Sequence, residues 1–336
     1  MLREMRSLPR RECFTRVKKN NAIFTAPIYV TVVMILLGTS GKLLEITAES
    51  GSDDLFFTAM ILELFVYMIP AAFYCKLRGM DMIKSSGTRF MSLSDLPFVI
   101  SAFFLYALGM IFLMYFGAVP SSASEINLTL QSVPETDSFF VILCYIVIPA
   151  VAEEMLFRSV LLSEYSSCRG LWAIVVSSLF FAMLHFSFTA FPSYFWAGFV
   201  FGLITYVTRS AIPAVILHMF SNFATINFSQ FISGFLDSAE NSVVLIFLLS
   251  TAFLIALYFT LSSLQSIYER KAWEYEDGTL EGSRADAVKR LAKAGKVDKK
   301  SKNENSLQRI SPKDIFLSPT VLLAVAVFVF MTLEMV

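Results

Sequence analysis

The sequence predicts an all-α, polytopic transmembrane helical bundle of about 8–9 spans, and three observations carry that prediction. Apolar residues fill 56% of the 336 positions and charged residues only 16%, against roughly 25% charged in soluble domains. Phenylalanine alone contributes 34 residues, and a soluble globule cannot hide so much apolar surface because most of its residues still meet water. The apolar residues also fall in runs of about 20, the length at which a helix crosses a hydrocarbon core.

Read in order, the spans fall near 22–40, 55–75, 96–118, 138–163, 171–188, 193–208, 211–234, 242–265 and 319–335. They organise the chain into a cytoplasmic N-terminal segment (1–21), N-terminal transmembrane spans (22–137) and a core (138–234). A further span (235–265), a cytoplasmic loop (266–317) and a C-terminal span (318–336) follow. The loop is the one sizeable polar stretch, with a short helix expected around Arg284–Lys293 and a polar tract, KVDKKSKNENS, after it. A basic segment of this kind reads as a solvated linker or as a contact for lipid headgroups. The apolar run after the basic N-terminus is long and more spans follow it, so it reads as a retained anchor rather than a cleaved signal.

Charge placement orients the bundle. Residues 1–20 carry seven Lys/Arg, 76–95 carry four and 266–317 carry twelve. Arg169 and Arg209 fall in connections on the same side, Arg158 lies within its helix, and Lys42 alone is on the opposite side beside acidic residues such as Glu45, Asp53, Glu125 and Asp237. Nine alternating crossings then place the N-terminus in the cytoplasm, and the expected location is a bacterial cell membrane. Net charge is zero, which offers no basic surplus for nucleic acid; the expected partners are the lipid bilayer and a membrane-associated substrate. Four cysteines (Cys13, Cys75, Cys144 and Cys168) form no CxxC pair, so neither a disulfide framework nor a thiolate metal site is expected.

Ionisable groups inside a span are expensive and point to function. Most of them lie between 153 and 222. The fourth span carries Glu153, Glu154 and Arg158; His185 ends the polar stretch of the fifth; His218 and Asn222 lie in the seventh, and the chain has no other histidine. Glu154 and Arg158 are four apart, as are His218 and Asn222, so each pair shares a helix face. Glu153 is turned ~100° from Glu154, so the two carboxylates face different surroundings. At 1.5 Å per residue, Glu153 lies ~18 Å, His185 ~22 Å, Asn222 ~20 Å and His218 ~14 Å from the basic ends of their helices. Side chains from three helices are thus expected to meet at one level. Glu63 stands alone in the second span and reads as a structural or cavity-lining group.

These residues spell E-E-x-x-x-R (Glu153, Glu154, Arg158), F-x-x-x-H (Phe181, His185) and H-x-x-x-N (His218, Asn222). The set resembles the CPBP family of intramembrane proteases, also called the Abi or CAAX-protease family, which includes CAAX prenyl endopeptidases and bacteriocin-processing proteins. The resemblance covers roughly 138–230 and implies the family's helical core. It also implies an intramembrane endopeptidase acting on lipidated or other membrane-associated proteins, or on leader peptides. The long inner loop and the ninth span look like additions to the family's usual eight helices.

Peptide hydrolysis needs an activated water, a proton for the leaving amine and stabilisation of an oxyanion. On the resemblance, Glu153 is the general base, His185 holds the same water, and His218 and Asn222 donate to the oxyanion. Glu154, paired with Arg158, positions Glu153 or shares in catalysis. Two histidines and a glutamate are also a zinc set with an open position, which would be Glu153, His185 and His218. The metal-independent glutamate reading is favoured because neither histidine sits in H-E-x-x-H geometry. Gly38-Thr39-Ser40-Gly41 matches the G-x-S-G of a serine protease, but Ser40 falls at the outer end of its span beside Lys42. The competing classes are a proton-coupled transporter, which would need polar residues along several other spans, and a non-catalytic immunity or scaffold protein that keeps the fold for binding.

Overall fold

Backbone polar groups in hydrocarbon must be satisfied within their own segment, so apolar runs of this length become helices. The computed structural model describes residues 22–48, 52–80, 90–118, 139, 142–165, 170–238, 242–276 and 312–334. The N-terminal segment, and the helix and polar tract expected in the 266–317 loop, lie outside the described residues apart from 266–276 and 312–317.

The described helices are α1 (Ala22–Ala48), α2 (Ser52–Arg78) and α3 (Leu96–Tyr115), then α4, which spans 142–164. They continue as α5 (Gly170–Met183), α6 (Phe191–Thr208), α7 (Ile212–Ser238), α8 (Val243–Glu276) and α9 (Pro319–Glu334). No strand occurs among the described residues. α1, α2, α3, α6 and α8 are each long and apolar enough to cross a membrane, while α5 and α9 are shorter apolar helices. α4 and α7 fall below that standard for the reason that makes them interesting: polar side chains interrupt both. Large side chains such as Phe65, Phe73, Phe104, Phe231 and Phe259 are exposed on the outside, where lipid replaces water as their solvent.

Two boundaries differ from the sequence reading. α8 runs on to Glu276, eleven residues past the expected end of its span, because SIYERKAWEYE has no glycine or proline to stop a helix. α5 ends at Met183, so His185 lies in a turn after the helix rather than within it. Phe186, the next residue, has φ 44°, a left-handed conformation uncommon for a residue with a side chain.

The ends of the bundle are tied pairwise. At the end that gathers Arg78 and Arg270, the Arg78 guanidinium donates to both oxygens of Glu164 at 2.8 and 3.0 Å, joining α2 to α4. Arg270 on α8 pairs with Asp95 just before α3, and Trp172 on α5 meets Phe316 ahead of α9 with centroids 6.2 Å apart. At the other end Ser193 at the start of α6 donates to the Ala118 carbonyl, and Phe191 lies 5.9 Å from Phe328 on α9. These pairings make α2 and α4 run in the same direction and α3 and α8 in opposite ones.

α6 is the central helix, packed on α3, α5 and α7. Its approach to α5 depends on Gly198 and Gly202, spaced four apart on one face. A Cβ on Gly198 would lie 3.1 Å from the Ser178 Cα, and one on Gly202 3.1 Å from the Ile174 methyl. Small residues at such spacing let membrane helices close to van der Waals contact, and this contact fixes where α5 delivers Phe181 and His185.

Candidate active site

α4 is not a uniform α-helix. Residues Ile142–Val147 and Met155–Leu161 are wound as π-helix, and Ile148–Glu154 between them is α. Pro149 contributes to the first irregularity, because it lacks an N–H and its ring crowds the carbonyl four residues back. The second begins directly after Glu154. Wide turns of this type concentrate at functional sites, and here they set how the two adjacent glutamates are aimed.

Glu153 faces a cavity of about 760 Å³ that His185, His218 and Asn222 also line. His185 Nε2 lies 4.0 Å and His218 Nε2 lies 3.9 Å from Glu153 Oε2, so residues from α4, α7 and the turn after α5 converge on one oxygen. That oxygen is buried without a hydrogen-bond partner, a costly state for a carboxylate unless a ligand or water is meant to meet it. Asn222 lines the cavity one turn beyond His218.

Each histidine is fixed through its other nitrogen. His185 Nδ1 lies 2.9 Å from the Phe181 carbonyl, and a carbonyl can only accept, so Nδ1 carries the proton. His218 Nδ1 lies 3.1 Å from Glu154 Oε1, where an ionised carboxylate sets the same tautomer. Both Nε2 atoms are therefore presented to Glu153. The His185 ring is further held by Tyr194, stacked at 3.6 Å between centroids and 23° between planes.

Glu154 turns away from the cavity. It is fully buried, and its Oε2 lies 2.8 Å from Arg158 Nε. The i,i+4 spacing predicted this contact. The contact to His218 was not predicted: the carboxylate joins the arginine to the histidine. The Arg158 guanidinium, 1% exposed as a residue, sits 5.3 Å from the Phe181 ring and 5.8 Å from that of Phe157. Phe181 thus has three contacts of consequence, since its ring also lies 4.9 Å from His185 and 5.8 Å from His218.

Two cavity residues escaped the motif reading. Tyr194 is three residues into α6 and carries no spacing signal relative to His185. Glu63 was noticed as a costly residue without a partner; the structure places it, with Tyr67 one turn on, in the wall of the same cavity. Tyr106 and Ser221, hydrogen-bonded to each other across α3 and α7, complete the polar wall. The lining includes Leu37, Ser40, Thr189, Thr225 and Thr332, all toward the end away from Arg78 and Arg270. Ser40 is thus at the rim, its hydroxyl donating to the Leu37 carbonyl at 2.7 Å. Below Glu153 the fully buried Leu156, Phe157, Val160 and Leu161 alternate with the buried polar residues Arg158, Ser159, Ser163 and Glu164.

The zinc set of Glu153, His185 and His218 can be tested against these distances. Tetrahedral zinc bound at roughly 2.0–2.2 Å holds neighbouring ligand atoms roughly 3.4 Å apart. The observed 3.9 and 4.0 Å are wider, and among the described residues no group of three His, Cys, Asp or Glu side chains is arranged to hold a metal ion. Hydrogen bonds of about 2.8 Å to one shared oxygen span the observed separations without side-chain movement. The residues as arranged fit a water better than zinc.

Fold and site together define an all-α, multi-pass membrane protein with a buried glutamate–histidine centre. Residues 135–224 match the family model described as type II CAAX prenyl endopeptidase Rce1-like. The matched stretch is about a quarter of the chain and contains all three motifs. The match falls on the stretch whose motifs resemble the CPBP core. No curated protein and no solved structure matches the chain.

Proposed function

We propose that the protein is an intramembrane endopeptidase in which Glu153 activates water against a peptide bond of a membrane-associated or lipidated protein, or of a leader peptide. The observation that carries this reading is the convergence of two histidine Nε2 atoms on the unpartnered Glu153 oxygen. In the proposed reaction a water donates one hydrogen bond to Glu153 and one to His185 Nε2. Glu153 takes its proton as the water oxygen attacks the carbonyl carbon. Asn222 donates from Nδ2 to the resulting oxyanion, beside His218, which Glu154 holds through Nδ1. On collapse the C–N bond breaks, and Glu153 returns the proton to the leaving amine. Every step uses this chain's own side chains, and the reading is metal-independent.

The position of the cavity supports entry of water and substrate from the face opposite the basic connections, with the N-terminus and those connections in the cytoplasm by the positive-inside bias.

Glu153→Gln keeps the shape and removes the base. In membranes carrying the variant at wild-type levels, we expect substrate precursors to accumulate and the corresponding new peptide termini to vanish. The same precursors are expected with His185→Ala. Unchanged termini in both well-inserted variants would sink the proteolytic reading.

A further inference from the structure

Glu63 is the one carboxylate in the cavity wall that no motif uses. It projects from α2, an element outside the 135–224 match, into the cavity that holds Glu153. Among the described residues it forms no salt bridge, while it lies within electrostatic reach of Tyr67, Cys144, Tyr145 and Glu153. The described lining contains two carboxylates and neither lysine nor arginine. Arg158, on the same helix as Glu153, lies outside the lining and is engaged by Glu154.

The cavity holds two acidic groups with no lysine or arginine in its described lining, so a cationic ligand group would find its charge uncontested there. Two carboxylates sharing one low-dielectric space disfavour each other unless one takes up a proton or a positive group comes between or beside them. The wall near Glu63 suits such a group: Tyr67 and Tyr145 lie within its electrostatic reach and line the cavity, and aromatic faces attract ammonium and guanidinium groups. The cavity is also large enough to take a long side chain next to Glu153, whose own Oε2 has no hydrogen-bond partner.

Resting on the protease reading above, we infer that Glu63 is a specificity-determining residue that receives a lysine or arginine side chain of the substrate next to the scissile bond. The cationic group would sit between the Glu63 carboxylate and the tyrosines while the neighbouring peptide carbonyl lies over Glu153. Glu63 then selects substrate without taking part in proton transfer.

The test uses full-length protein in lipid nanodiscs and two membrane-tethered peptides that differ only by Lys or Met beside the cleavage position. Wild type should favour the Lys peptide in kcat/KM by roughly 10- to 100-fold, the worth of one charged hydrogen bond. In Glu63→Gln that ratio should collapse through KM, and Glu63→Lys should turn the preference toward a peptide with Asp at that place. A binding measurement by fluorescence anisotropy in the Glu153→Gln background, with and without Glu63→Gln, reads the same preference without catalysis. If neither peptide is cut by wild type but the Glu63-dependent binding preference is present, the protease reading fails and the cation site stands. If Glu63→Gln leaves the Lys-to-Met ratio as in wild type, or lowers kcat on both peptides equally with a moved pH profile, Glu63 acts on Glu153 or on the fold and the inference is overturned.

Discussion

Arg158 and Glu154 are buried together, with side chains fully sequestered and 2.8 Å between Nε and Oε2. Glu154→Gln removes one charge and keeps an amide oxygen for His218 Nδ1, so it isolates the loss of compensation for Arg158. The gross attraction at 2.8 Å is ~6 kcal/mol at an effective dielectric of about 20. Much of it is offset by the desolvation of both ions, and breaking one partner of such a buried pair costs about 3–5 kcal/mol. Glu153 is also within Coulomb range of Arg158 and takes up part of the uncompensated charge, so a loss of about 3 kcal/mol is expected. Replacing both members, Glu154→Gln with Arg158→Met, removes the buried charge altogether and should recover most of that loss. Equilibrium unfolding in mixed micelles measures all three. A single variant as stable as wild type, or a double variant no more stable than the single, would refute the claim that Glu154 holds Arg158 in place.

Two further outcomes follow from the same geometry. Since the Glu153, His185 and His218 atoms stand wider than zinc ligands, a strong chelator should leave activity of the purified protein unchanged, and elemental analysis should find less than stoichiometric zinc; chelator-sensitive activity restored by zinc would contradict the metal-independent mechanism. Tyr194→Ala removes the ring stacked on His185 and should lower kcat by roughly tenfold, with Tyr194→Phe retaining most of the rate because the stack is worth about 1 kcal/mol; equal losses in both would assign the role to the hydroxyl instead.

The class of the molecule and much of its centre are legible in the chain order. Hydropathy marks the helices because lipid permits little else, and a glutamate or histidine in such a helix stands out by its cost. The Glu154–Arg158 contact follows from helical spacing alone. His185 shows the limit: it was expected inside a helix, but α5 stops at Met183. The depth estimate assumed a continuous rise, while its Nδ1 bond to Phe181 spans that helix end. α8 likewise outruns its apolar window, because a helix ends where its capping and breaking residues lie and not where its hydrophobicity does.

The sequence by itself determined an all-α membrane protein, its costly intramembrane residues and the motifs that resemble a family's core, since residue type and helical period are local properties. The tertiary structure decided which atoms meet. Only the packing of α7 against α4 brings His218 to Glu154 at 3.1 Å. Only the glycine-mediated closeness of α6 and α5 lays Tyr194 on His185, and only the fold of α2 along the cavity brings Glu63 into the space of Glu153. Contacts between helices depend on crossing geometry and on every side chain between them, and a period read along one helix carries no information about the face its neighbour presents.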